Sequence, residues 1–150
     1  MVKLYEPMSL HTTIRIGGPA QFWIEPRTTA HDATPVQEFL AAQARHFPNW
    51  DDARRGELVE GLGLTEHLHK PVYMLSTGSR RKVWLAAAFA SGATLTLLDD
   101  PFAALDRPSI RFVAEQLQQS AAGSARIWML ADYAPPPGVD LAGTIHLPQA

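Results

Sequence analysis

The spacing of apolar positions changes along the chain, and each change marks a different kind of element. Before Ala33, the β-branched and aromatic runs Thr12–Ile16 and Gln21–Ile24 flank Gly17-Gly18-Pro19, which predicts two short strands around a turn. From Thr34 the spacing becomes helical: Thr34 as cap, Pro35 at the first helical position and the stripe Val36, Phe39, Leu40 and Phe47 predict a helix that Pro48 ends. Asp51 and Asp52 open a second helix carrying Leu58, Val59 and Leu62, closed by Gly61 and Gly63, and a short turn covers Leu64 to Leu68. Ser76-Thr77-Gly78-Ser79 then precedes Val83–Ala90, an alanine-rich helix almost wholly buried and stopped by Gly92.

Thr94–Leu98 is a continuous apolar run ending in Asp99-Asp100-Pro101, the pattern of a fully buried strand with carboxylates at its carboxyl end. A helix from Pro108 to about Gln119, the run Arg126–Leu130 and a final edge strand at Thr144–Leu147 continue the alternation. Only three residues follow that strand, which reads as a native end. The expected organisation is α/β: an N-terminal β segment over 1–33, a helical subdomain over 34–74 and a layered α/β portion over 75–150.

Composition narrows the function. Thirteen Lys and Arg against 15 Asp and Glu give a net charge of −2, without the basic excess that nucleic-acid binding needs. The absence of cysteine excludes disulfides, thiolate metal sites and cysteine nucleophiles, and fits a reducing cytoplasm. No apolar run approaches the roughly 20 residues of a membrane span, so any membrane link is expected to go through a partner. His67 and His69 have no third ligand nearby in sequence and read as surface residues, as the charges of Arg80, Arg81 and Lys82 read as a solvated face. Trp23, Trp50, Trp84 and Trp128 read as packing residues.

Leu75-Ser76-Thr77-Gly78-Ser79, the helix behind it, Leu95-Thr96-Leu97-Leu98-Asp99-Asp100-Pro101 and Ala104-Leu105-Asp106 resemble, in order and spacing, the ATP-binding subunits of ABC transporters. The resemblance runs from about Phe22 to Pro148 and implies a partial P-loop-type cassette core with its α-helical subdomain. It implies that Ser76, Thr77, Gly78 and Ser79 form a signature at a helix amino terminus, which meets the nucleotide of an opposite subunit. It implies that Asp99 holds the Mg²⁺ shell, that Asp100 stands where the water-polarising carboxylate belongs, and that Asp106 contacts the partner near its ATP. Most active relatives have Glu at the place of Asp100. The implied partners are a membrane permease and a second ATPase subunit, at the inner face of the cell membrane.

The departures are as specific. No Gly-x-x-x-x-Gly-Lys-Ser/Thr loop exists in the chain, so it lacks the nest and lysine that cradle the β- and γ-phosphates. Ile24 stands where the family has the Q-loop glutamine, and Ala131-Asp132-Tyr133 where it has the switch histidine. Autonomous hydrolysis is expected to be weak or nil. Residues 9–27, and above all His11–Ala20, resemble the opening of UDP-N-acetylenolpyruvoylglucosamine reductase, without that flavoenzyme's Gly/Ser/Asn loop or catalytic residues. Three functions stay open: a degenerate cassette contributing half of an ATP site, a non-catalytic permease-docking subunit, and a rearranged relic without activity. With the earlier half of a parallel sheet missing, either the Leu95–Asp99 strand is left with an open edge or Thr12–Ile16 and Phe22–Ile24 pair along it, and the second is expected.

Overall fold

The computed structural model describes residues 31–122 and 126–146, together with the backbone of four two-residue strands near the amino terminus. Those strands pair antiparallel, β1 (Val2–Lys3) with β4 (Trp23–Ile24) and β2 (Glu6–Pro7) with β3 (Pro19–Ala20). Two expectations are corrected here. Trp23 and Ile24 pair with Val2 and Lys3 rather than with a hairpin partner or the Leu95–Asp99 strand, and Pro19 lies in a strand rather than in the turn. Local turn signals say nothing about which distant segment completes a ladder. Thr12–Ile16 lies outside the described residues.

Helix α1 spans Val36–Ala44 and has no side-chain cap. Thr34 is not its cap, because a more distant segment does that work: the amides of Val36 and Gln37 donate to the carbonyls of Lys70 (3.1 Å) and Leu68 (2.9 Å), while Pro35 bridges Pro71. The helix ends at Ala44, ahead of Pro48, and Phe47 is buried in the following turn. Helix α2, Asp52–Gly61, starts as its acidic residues predict, with the Asp51 carboxylate accepting from the Arg54 amide at 2.9 Å. A 3₁₀ turn at Thr65–His67 and another at Val72–Met74 lead to α3, Thr77–Ala90.

Helix α3 is the central packing element. Val83, Leu85, Ala86, Ala87, Phe89 and Ala90 are buried, so small side chains let α1 and α2 approach closely. Phe39 of α1 meets Trp84 edge-on, with ring centroids 4.3 Å apart. Beyond α3, Gly92 has φ +64 and lies against the Asn49 carbonyl, where a side chain would have neither the conformation nor the room.

Strand β5 (Leu95–Asp99), helix α4 (Arg107–Ala121) and strand β6 (Ile127–Ala131) form one crossover unit. The strands run parallel, in register from Leu95 opposite Ile127 to Asp99 opposite Ala131. Thr96, Leu98, Trp128 and Leu130 face the helices, where Trp128 lies 4.6 Å from the Phe89 ring. The opposite face is open: Leu95, Ile127 and Met129 are 50%, 59% and 45% exposed. The expectation of a fully buried strand is therefore corrected, because among the described residues β5 and β6 pair only with each other. The expected edge strand at Thr144–Leu147 is also absent over Thr144–His146, which has no regular structure; Leu147 lies outside the described residues.

Candidate functional site

The amino terminus of α3 and the loop after β5 form one contiguous surface. Ser76 caps α3: its Oγ accepts from the Ser79 amide at 3.1 Å and donates to the Ser79 hydroxyl at 3.0 Å. The first intrahelical bond runs from the Arg80 amide to the Ser76 carbonyl, so the amides of Thr77 and Gly78 precede the helical ladder. Ser76 and Thr77 are exposed there. An anion approaching this turn would meet backbone donors and the positive end of the helix.

Gly78 is required on the inner side of the same turn. A Cβ placed on it would stand 2.4 Å from the Ala104 carbonyl oxygen, so the loop after β5 passes directly across the helix at this residue. The next three side chains are tied to their own chain rather than turned out as a cationic face. Arg80 reaches the Tyr73 carbonyl at 3.5 Å, Arg81 donates to the Asp100 carbonyl, and Lys82 pairs with Asp106 at 2.7 Å. The first turns of α3 thus hold both ends of the Asp100–Asp106 loop.

Asp99 is half-buried on the last rung of the parallel ladder, opposite Ala131. Asp100 follows it in the left-handed region, at φ 49, a conformation Asp tolerates better than most residues. Its amide donates to the Ala131 carbonyl at 2.8 Å, which aligns the ends of β5 and β6. Ala104 is also left-handed, at φ 60. Asp106 is occupied within its own chain: one oxygen accepts from Lys82, and the other caps α4 by accepting from the Ser109 amide at 2.8 Å. Those donors, Lys82 first, hold its carboxyl well below the usual carboxylate range.

The structure brings Ser76, Thr77, Gly78 and Ser79 together with Ala104 and Asp106, while Asp99 and Asp100 lie at the strand end that begins the same loop. Sequence reasoning missed the ties of Arg81 and Lys82 to this loop, having read both as a solvated face, and missed that Asp106 caps α4, for which Asp106-Arg107-Pro108-Ser109, an aspartate ahead of an early helical proline, was the available signal. At the switch-histidine position, the Asp132 carboxylate accepts from the Tyr133 amide at 2.7 Å, and both residues are exposed. No group of three or more His, Cys, Asp or Glu side chains that could hold a metal occurs among the described residues.

The profile of the ABC transporter family matches residues 7–103, beginning well before the motifs that carry the resemblance and taking in the reductase-like stretch. The chain is 35% identical over 107 residues to the cytochrome c biogenesis ATP-binding export protein CcmA of Pseudomonas syringae pv. syringae, covering 70% of this chain and 48% of that protein. It is 36% identical over 98 residues to the phosphonates import ATP-binding protein PhnC 1 of Rhodopseudomonas palustris, covering 64% of this chain and 35% of the relative. It therefore spans about half the length of these relatives or less. A solved ATP-binding subunit of an ABC transporter has the same fold over 68% of this chain and 44% of its own, with a TM-score of 0.60 at 23% identity. No helix among the described residues is long and apolar enough to cross a membrane. With a family match covering well over half of its residues, the chain belongs to the ABC transporter family of ATP-binding proteins.

Proposed function

We propose that this chain supplies the signature half of a composite ATP site: Ser76, Thr77, Gly78 and Ser79 close over the γ-phosphate of ATP held by an intact partner cassette, and the chain does not hydrolyse ATP alone. The observation that carries the reading is the free first turn of α3, with Ser76 and Thr77 exposed and the loop after β5 fixed against its inner side. A helix amino terminus of this kind supplies amide donors and a favourable dipole to a phosphate. The opposite requirement, a glycine-lysine loop to wrap the β- and γ-phosphates in the same chain, is not met by this sequence. Magnesium binding needs substrate phosphates as well as one or two carboxylates, so Asp99 and Asp100 would hold an ion only beside a nucleotide held by other groups.

Ser79→Glu tests this directly. Glutamate three residues after the capping Ser76 creates a capping box, which supports the helix, while placing a negative charge where the phosphate would sit. The expected result is a melting temperature unchanged or raised, with loss of any effect of the chain on the Mg²⁺-dependent ATP turnover of an added intact cassette. Saturable binding of a fluorescent ATP analogue by the chain alone would overturn the reading. A second reading, a non-catalytic subunit that docks onto a membrane permease, is favoured by Tyr73 and Met74, each 59% exposed just before α3. Permease binding that survives Ser79→Glu, with no nucleotide effect in either protein, would establish it instead.

A further inference from the structure

We propose that the groove along the outer side of α4 is a docking site for an extended acidic segment of another protein, whose two carboxylates, two residues apart, are held by Arg107 and Arg111.

The groove is made of two hollows that share Arg111. One, of about 380 Å³, is lined by Arg107, Ile110 and Arg111. The other, of about 370 Å³, runs from Arg111 past Ala114 to Gln119, with Pro137 and Gly138 as its far wall. That wall is fixed to the helix, because Gln118 Nε2 donates to the Asp140 carboxylate at 2.9 Å and Gln118 Oε1 accepts from the Asp140 amide at 2.7 Å. From Arg107 to Gln119 the helix rises about 18 Å, the length of roughly five or six residues of extended chain.

The two arginines supply the charge. The described ion pairs engage Arg54, Arg55 and Lys82, and Arg80, Arg81 and Arg126 donate to carbonyls. Arg107 and Arg111 are exposed and have no ion pair or hydrogen bond with another of the described residues. The helix gains nothing from them: like charges four residues apart repel, and Arg107 stands in the first turn, where the helix dipole disfavours a cation. Glu115 lies one turn beyond Arg111 on the same groove, so its charge directs an acidic segment to the Arg107 end.

The spacing of the pair selects the conformation of its partner. Four residues of helix rise about 6.0 Å, and alternate side chains of an extended chain, which share one face, stand about 6.7 Å apart. Each guanidinium then meets one carboxylate, and Ile110 and Ala114 offer apolar contact beside them. A second copy of this chain is a poor occupant, because none of its 15 Asp and Glu residues stands two positions from another. A nucleic acid needs a longer basic track than one pair in a chain of net charge −2.

The probe is a fluorescein-labelled peptide, Thr-Val-Thr-Glu-Thr-Glu-Thr-Val-Thr, which reads the same in both directions and so fits the groove in either polarity. Its control, Thr-Val-Thr-Glu-Glu-Thr-Thr-Val-Thr, has the same composition and charge but turns the carboxylates to opposite faces. In fluorescence anisotropy with the whole chain at low salt, the first should bind saturably and about fivefold more tightly than the second. Arg107→Gln and Arg111→Gln should each weaken the first by about fivefold, while both variants melt cooperatively at the temperature of the parent chain or above it.

Equal binding of the two peptides would overturn the proposal, as would binding that survives both substitutions, or no saturable binding below about 1 mM peptide. An oligothymidylate that binds more tightly than the peptide, and loses that binding in both variants, would overturn it in favour of a nucleic-acid surface. No nucleotide enters these measurements, so their outcome is separate from that of Ser79→Glu.

Discussion

At the residue scale, Gly78 has two separable reasons to be glycine. A phosphate could come close to its backbone, but the Ala104 carbonyl already does, and a Cβ would stand 2.4 Å from that oxygen. Gly78→Ala should therefore destabilise the chain by about 1–3 kcal/mol through overpacking, with no nucleotide present. Urea denaturation measures this, and an unchanged midpoint would show that the loop can yield. Asp106 supports the same loop from its other end. Its carboxyl is held low by Lys82 and Ser109, so its stabilisation is complete above the ordinary value of 3.8 and is lost as pH falls through the depressed value. Asp106→Asn keeps a capping acceptor but loses the ion pair. Between about pH 5 and pH 2.5 the variant's melting temperature should fall less steeply than that of the parent chain. Asp106→Ala also loses the cap of α4, at a further cost of about 1 kcal/mol.

At the scale of elements, the least expected contribution is that of Arg126. Its guanidinium donates to the Ala93 and Phe89 carbonyls at 2.9 Å each and to the Ala88 carbonyl at 3.1 Å, and it lies 4.6 Å from the centre of the Trp128 ring. It thus ties down the end of α3 and the entry to β5 from the residue just before β6, which joins three elements through one side chain. Burial lowers its pKa, a sign of the desolvation that these acceptors offset. Arg126→Met should cost about 3 kcal/mol by removing the guanidinium from the Phe89 and Ala93 carbonyls and leaving Ala88 to the Ser91 hydroxyl. Lys should recover only part of this, since one ammonium cannot reproduce the fork. Denaturant midpoints at an unchanged slope would check both.

Nothing in the sequence marked Arg126, whose partners are all brought to it by the fold. Helices α2, α3 and α4 were legible because Asp51, Ser76 and Pro108 are local signals, as are the glycines that stop the first two. The start of α1 was not, because its first amides are satisfied by Leu68 and Lys70, a long-range arrangement that displaces the Thr34 cap. An apolar run likewise reveals that Leu95–Leu98 wants cover but not whether a neighbour provides it. The candidate site was legible as motifs; the ties of Arg81 and Lys82 to its loop were not, because charges next to a helix start look the same whether solvated or paired.

At the scale of the whole molecule, buried apolar side chains are concentrated in α1 to α4 and their turns, from Val36 to Leu117, whereas β5 and β6 contribute partly buried ones at the margin. Stability should be distributed accordingly. Amides of α3 can exchange with solvent only when the helical core opens, because Val83, Leu85, Ala86, Ala87, Phe89 and Ala90 lock it against its neighbours. The two strands need less, since their side chains are exposed on one face and only partly buried on the other. Hydrogen-exchange mass spectrometry should show peptides from α3 exchanging about a hundredfold more slowly than those from β5 and β6, even though both are regular structure. Ile127→Thr should leave the slow class unchanged, because that side chain meets mainly solvent. Equal protection across α3 and both strands would instead mean that the sheet is closed, and that its open face is not a feature of the chain in solution.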